Sequence, residues 1–208
     1  MEEMLDYTKK YKDLYLPGRE PAVVDVPRMP FIIIEGTGDP NGEEFGQVVE
    51  ALYGFSYTIK MSYKSKNVPE GYYPYKVFPL EGIWDLVDIT KMPTDKSNFK
   101  YSMMIRQPDF VTPAFFEKTK DQLKKKKPNP FLDKAVFREA AEGLCCQMMH
   151  IGSYDDEPAS FDKMADYCGK NGFLRISKTH REIYISDPRR TDAARLRTVL
   201  RFQVKKGG

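Results

Sequence analysis

The chain has 208 residues, 41% hydrophobic and 13% aromatic, enough to bury the core of one domain or of two paired halves. Its 33 Lys and Arg stand against 30 Asp and Glu, and the resulting net charge of +3 is too small to indicate direct nucleic-acid binding. No apolar run approaches the roughly 18 residues of a membrane span, the opening Met1-Glu2-Glu3-Met4 is acidic rather than a targeting signal, and a cytoplasmic location is the expectation.

Along the chain, Leu5, Tyr11, Leu14 and Tyr15 fall near helical spacing before Pro17-Gly18, predicting a short appended helix from Asp6 to Leu16. Phe31-Ile32-Ile33-Ile34 is a continuous apolar, mostly β-branched run ending at Gly36, the pattern of a strand covered on both faces. Gly36 to Glu44 supplies turn residues and first-turn acids. Phe45, Val48, Val49, Leu52, Phe55 and Ile59 then mark one face of a helix running past Lys60. Two strands follow, Tyr75 to Val87 with a break at Pro79 to Gly82 and Tyr101 to Arg106, read as a hairpin. Thr112 to Lys127 predicts a connecting helix that Pro128-Asn129-Pro130 terminates, its four terminal lysines complementing the helix dipole.

The second half repeats this grammar. Leu144 to Ile151 is a strand ending at Gly152, an acid-rich turn with Pro158 leads into a helix beginning near Ser160, and strands follow at Thr179 to Ser186 and Leu196 to Val204. Gly36 precedes Phe45 by the same interval that separates Gly152 from Phe161, and Val48 and Leu52 recur as Met164 and Cys168. The expected fold class is α+β: two β-α-β-β modules, about 31–107 and 144–204, in one domain over 1–208. Pseudo-twofold symmetry would form an antiparallel sheet with two main helices and a ligand cleft.

Three cysteines, two of them adjacent, suggest no disulfide framework, and His150 and His180 lack metal-ligand spacing. Phosphate-cradling glycine loops are missing, as is a Ser-His-Asp arrangement with a nucleophile elbow. Neither a metal nor any other cofactor is expected. In the 179–186 strand, alternation sets Arg181, Ile183 and Ile185 on one face and His180, Glu182 and Tyr184 on the other. Glu182 thus sits mid-strand between apolar neighbours; period alone fits a solvated face, whereas burial would raise a carboxyl toward general-base range. Tyrosines are dense, and Tyr57, Trp84, Tyr101, Tyr154 and Tyr184 are candidates for a cleft lining around Glu182, with Met103 adding adaptable apolar surface.

Six segments carry a family resemblance: YTKKYKDLYL (7–16), ALYGFSYTIK (51–60), PLEGIW (79–84), MMIRQPDFVT (103–112), MMHIGSYDDEP (148–158) and HREIYISDPRR (180–190). In these the chain resembles the GyrI-like small-molecule-binding superfamily, and within it the stand-alone branch related to cyclopropanoid cyclopropyl hydrolases. The resemblance implies paired β-α-β-β modules and a cleft glutamate on the penultimate strand, here Glu182. It also implies a hydrophobic aromatic ligand and addition of water to the cyclopropane of DNA-alkylating compounds. Such chemistry calls for a base near the water and donors near the developing oxyanion, for which Tyr154, Tyr57 and Tyr101 are alternative candidates. Asp85 departs from the family pattern, where a second aromatic follows the tryptophan. A binding or sequestering protein for cationic or aromatic compounds is the alternative.

Overall fold

The structure is a computed structural model that describes residues 4–65, 68–92 and 94–207. Among the described residues five α-helices, α1 (Tyr7–Lys10), α2 (Lys12–Tyr15), α3 (Glu43–Lys60), α4 (Pro113–Lys126) and α5 (Glu157–Lys170), accompany nine strands. The strands are β1 (Ala22–Val26), β2 (Met29–Thr37), β3 (Leu80–Leu86), β4 (Phe99–Arg106), β5 (Val136–Ala140), β6 (Gly143–Ile151), β7 (Phe173–Arg175), β8 (His180–Tyr184) and β9 (Arg197–Lys206). All registered strand pairs are antiparallel and the fold is α+β; β2, α3, β3 and β4 follow β-α-β-β order, whereas three strands rather than two, β7, β8 and β9, follow α5 after β6. The chain divides into two compact units, one holding 29–80 and 86–140 and the other 7–28, 81–85 and 141–208.

In the first unit β2 lies between β4 and β5. Phe31 to Ile34 are all buried, as a continuous apolar run requires. Val48, Leu52, Phe55 and Ile59 on α3 are fully buried, and Phe55 stacks on Phe116 of α4 with ring centroids 5.2 Å apart. Thr112 caps α4 by accepting from Phe115 N at 3.2 Å, with Pro113 at the first helical turn. Two lysines of its C-terminal run pair with acids, Lys127 with Glu50 at 2.6 Å and Lys124 with Asp133. Gly36 on β2 permits a close approach: a Cβ there would lie 2.6 Å from the Tyr101 hydroxyl.

The second unit orders its strands β1-β6-β9-β8-β3, with β7 on the end of β9. One face packs Cys146, Met148, Leu200, Phe202 and Val204 beneath Met164 and Cys168 of α5. The opposite face carries an ion network at α1 and α2. Arg181 donates to Glu81 at 2.7 Å, Arg201 binds Gln147, Glu142 and the Leu14 carbonyl, and the Tyr15 hydroxyl reaches Glu81 at 3.3 Å. Two buried guanidinium groups thus meet two carboxylates, which offsets their desolvation cost.

Several boundaries differ from the sequence reading. The N-terminal helix is two single turns that break at Tyr11, and α3 stops at Lys60 in a 3-10 turn over Met61–Lys64. Pro79 to Gly82 is not a break; β3 begins at Leu80 and Gly82 is paired within it, whereas Tyr75 makes only a bridge to Leu5. Helix α5 begins at Glu157, three residues before Ser160, because Pro158 occupies its first turn rather than preceding it. The short strands β1, β5 and β7 were not anticipated; each has at most five residues, too few for periodicity to declare itself.

Candidate functional site

Strand β8 alternates as its sequence dictates. Arg181 and Ile183 enter the buried ion-network side, while His180, Glu182 and Tyr184 turn toward the α5 side. The register sets Leu200 of β9 on one flank of Glu182 and Gly82 of β3 on the other. Glycine at that position leaves the space beside the carboxylate free of a neighbouring β3 side chain. Trp84, two residues on, lies opposite His180.

Glu182 is 9% exposed and accepts from two neighbours on its own strand. His180 Nε2 lies 3.0 Å from Oε1, and the Tyr184 hydroxyl donates to Oε2 at 2.7 Å. The Tyr184 hydroxyl in turn accepts from Trp84 Nε1 at 2.9 Å. These four side chains form one continuous polar chain, His180–Glu182–Tyr184–Trp84, across β8 and β3. Burial, followed by the charge of Glu182, raises the Tyr184 hydroxyl well above the ordinary tyrosine value, so it remains a donor.

Helix α5 brings a second carboxyl to this group. Glu157 is 6% exposed, its Oε1 receives no donor, and it faces Glu182. Burial first and the Glu182 charge second push its carboxyl far above the usual carboxylate range. Both causes favour the protonated form of the Glu157 carboxyl. Tyr154, in the 3-10 turn preceding α5, sets its ring edge-on to Tyr184 at 5.9 Å and is 38% exposed. Its hydroxyl is pushed up to about 12, by burial first and then by Glu182, and so stays protonated at neutral pH.

Of the side chains singled out from sequence, Glu182, Tyr184, Trp84 and Tyr154 assemble within the second unit. Tyr57, Tyr101 and Met103 belong to the first. There Tyr101 is buried over Gly36 and edge-on to Phe45 at 5.1 Å, Met103 is fully buried on β4, and Tyr57 is exposed on α3 beside Tyr53. Sequence reasoning did not single out Glu157, because a helix read as starting near Ser160 leaves it in the turn. His180 was placed on the correct face without being assigned a role. The other histidine, His150, is buried and bonded through both nitrogens, to Ser160 Oγ at 2.9 Å and the Ser153 carbonyl at 3.0 Å, beside a depression of about 410 Å³. Among the described residues no group of three His, Cys, Asp or Glu is placed to hold a metal ion, and no helix is long and apolar enough to cross a membrane.

Residues 19–205 match the family model of the GyrI-like small molecule binding domain. Comparison with curated proteins returns no match. Among solved structures, a hydrolase from Listeria innocua is 34% identical, with a TM-score of 0.89, covering 97% of this chain and 100% of that one. An uncharacterized conserved protein from the same organism is 35% identical, with a TM-score of 0.92 and the same coverage of 97% and 100%. The C-terminal domain of EcmrR shares the fold at 14% identity and a TM-score of 0.54, over 90% of this chain and 98% of that domain.

Proposed function

The chain belongs to the GyrI-like small molecule binding domain family, and from that premise we propose that it hydrates a strained cyclopropane in a flat aromatic compound, with Glu182 as general base and Tyr154 as acid. The observation that carries this reading is the buried Glu182 carboxyl, held by His180 and Tyr184, with the partly exposed Tyr154 hydroxyl group on the same side. Glu182 offers four acceptor positions in all. His180, Tyr184 and the Glu157 proton occupy three of them, leaving one for a water molecule. Similarity to a Listeria innocua hydrolase over nearly the whole chain supports a hydrolytic rather than a purely structural role.

The reaction balances on these residues. Glu182 takes a proton from water as the oxygen bonds to a ring carbon. The cyclopropane C–C bond breaks, and its electron pair passes through a conjugated dienone to the distant carbonyl oxygen. That oxygen takes the Tyr154 proton; Tyr154, partly exposed, regains one from solvent and Glu182 releases the one it took, which restores both groups. Trp84 and Tyr184 provide apolar ring surface beside the carboxylate, in keeping with a flat ligand.

A second reading has its own support, since a buried carboxyl already engaged by His180 and Tyr184 suits holding a ligand without turnover. Mass spectrometry of a dienone-conjugated cyclopropyl-indolone incubated with the purified protein separates the two. Hydration predicts a product heavier by one water that forms catalytically and is lost in Glu182→Gln. Stoichiometric binding of an unchanged compound assigns a sequestering role instead, and neither outcome with any such compound removes this ligand class.

A further inference from the structure

We propose that Ser160 and His150 form a nucleophile–base pair that transfers the acyl group of a small uncharged carboxylic ester to Ser160 Oγ and then to water. The pair belongs to the second unit and stands apart from Glu182. Tyr184 and His150 both register with Thr198 of β9, from opposite sides, so two strand spacings, about 10 Å, separate their backbones. The depression beside His150 is lined by none of Glu182, Tyr184, Tyr154 and Glu157. Acyl transfer here therefore requires nothing of the Glu182 site.

Local chain geometry builds the pair. Alternation along β6 puts His150 with Met148 on the α5 side, one residue before the strand ends at Ile151. Gly152 follows at φ +144°, a conformation that residues with side chains rarely adopt, and a Cβ there would lie 3.4 Å from His150 Nε2. The 3-10 turn Tyr154–Asp156 then leads into α5, whose fourth residue is half-buried Ser160. Chemistry assigns both imidazole nitrogens. Nε2 lies 3.0 Å from the Ser153 carbonyl, which can only accept, so Nε2 carries the hydrogen. In the neutral ring Nδ1 is then an acceptor, and the Ser160 hydroxyl donates to it at 2.9 Å. A hydroxyl bonded to a base that a third group holds in one tautomer is the arrangement acyl transfer uses, here with a backbone carbonyl in the orienting place.

The depression sets the substrate class. Its volume of about 410 Å³ suits a small organic molecule, and both His150 and Ser160 line it. Arg19 and Lys163 on its wall are matched by Glu20 and Asp156, with Lys163 bonded to Glu20 at 2.7 Å, while Met148 and Ile151 add apolar surface. Balanced charge beside apolar surface favours an uncharged ester. Ser160 Oγ bonds to the ester carbonyl carbon as its proton passes to His150 Nδ1. The C–O bond to the leaving group breaks, and that oxygen takes the proton from Nδ1. Water then gives a proton to Nδ1 and attacks the acyl-serine, and Ser160 Oγ leaves with that proton as the carboxylic acid is released.

Two uncharged probes, p-nitrophenyl acetate and diisopropyl fluorophosphate, test this on the full chain. The ester is expected to release p-nitrophenolate in a stoichiometric burst followed by slower turnover. The fluorophosphate should phosphorylate Ser160 with loss of fluoride, as peptide mass mapping would show. Ser160→Ala should remove the adduct and lower ester turnover about 100-fold or more, and His150→Gln should slow both reactions by a similar factor. The burst should also be slower in heavy water, because a proton moves in that step. Absence of burst and adduct in the wild type overturns the proposal, as does an adduct confined to Ser153 or to any other residue, or turnover retained in Ser160→Ala. A burst rate indifferent to heavy water, or to His150→Gln in a variant that melts as the wild type does, removes His150 as the base and overturns it equally. The wild-type map and the heavy-water comparison decide the matter even where a variant fails to fold.

Discussion

Replacing Glu157 with Gln removes a titrating group while keeping its shape and hydrogen-bonding end, and its effect on stability should depend on pH in a calculable way. In the unfolded chain a glutamate titrates near 4.3. In the folded protein burial and Glu182 raise that value well above the ordinary range. A carboxyl shifted upward binds more protons folded than unfolded, so its contribution is fully present below the unfolded pKa. It is lost as pH rises toward the folded pKa, with a limiting slope of about 1.36 kcal/mol per pH unit. Between pH 5 and pH 7 the wild type should therefore lose about 2.5 kcal/mol relative to Glu157→Gln, if Glu157 stays protonated when folded. With Glu157 only 6% exposed, solvent screening reduces this little. Urea denaturation of both proteins at pH 5, 6, 7 and 8 gives the difference directly, since every other titrating group cancels to first order. Parallel stability curves would show that Glu157 ionises normally. In Glu182→Gln the same slope should level off at a lower pH, because the charge that adds to the shift is gone while burial, the larger cause, remains.

Glu182→Gln itself should lower any hydration rate by roughly 100-fold while changing affinity for a neutral flat compound little, a split visible as kcat falling with KM retained. Arg181→Met strands Glu81 with only the Tyr15 hydroxyl and should cost about 3–5 kcal/mol. The Glu81→Gln/Arg181→Met double variant should recover much of that cost in chemical denaturation, and additive losses would deny the coupling. Gly36→Ala drives a methyl into the Tyr101 ring and should cost about 1–3 kcal/mol; wild-type stability there would mean that the ring yields freely. Tyr184→Phe removes the hydroxyl that accepts from Trp84 Nε1 and donates to Glu182, so the emission of this single tryptophan should shift; an unchanged spectrum argues against the bond.

Elements with long, regular patterns were legible before any coordinates. The four-residue apolar run of β2, the Val48-Leu52-Phe55-Ile59 stripe of α3 and the alternation of β8 each depend on local chain geometry, and each appears where its period puts it. Motif segments likewise pointed to the family. The short strands and the course of the chain at Gly82 were not legible, because pairing partners far along the chain decide them: Gly82 lies opposite Glu182 across two strands that are 100 residues apart.

For the site, sequence alone determined that Glu182 would share a strand face with His180 and Tyr184, because side chains two apart on a strand must point the same way. It left open whether that face was solvated, since alternation is identical for a wet face and a buried one. Only the tertiary structure decided this. By laying α5 across the face it left Glu182 only 9% exposed, and it brought Glu157 within range, 25 residues earlier in the chain. The raised Glu157 carboxyl comes from the loss of solvent around it and from that contact, and neither quantity has a signature in the order of residues.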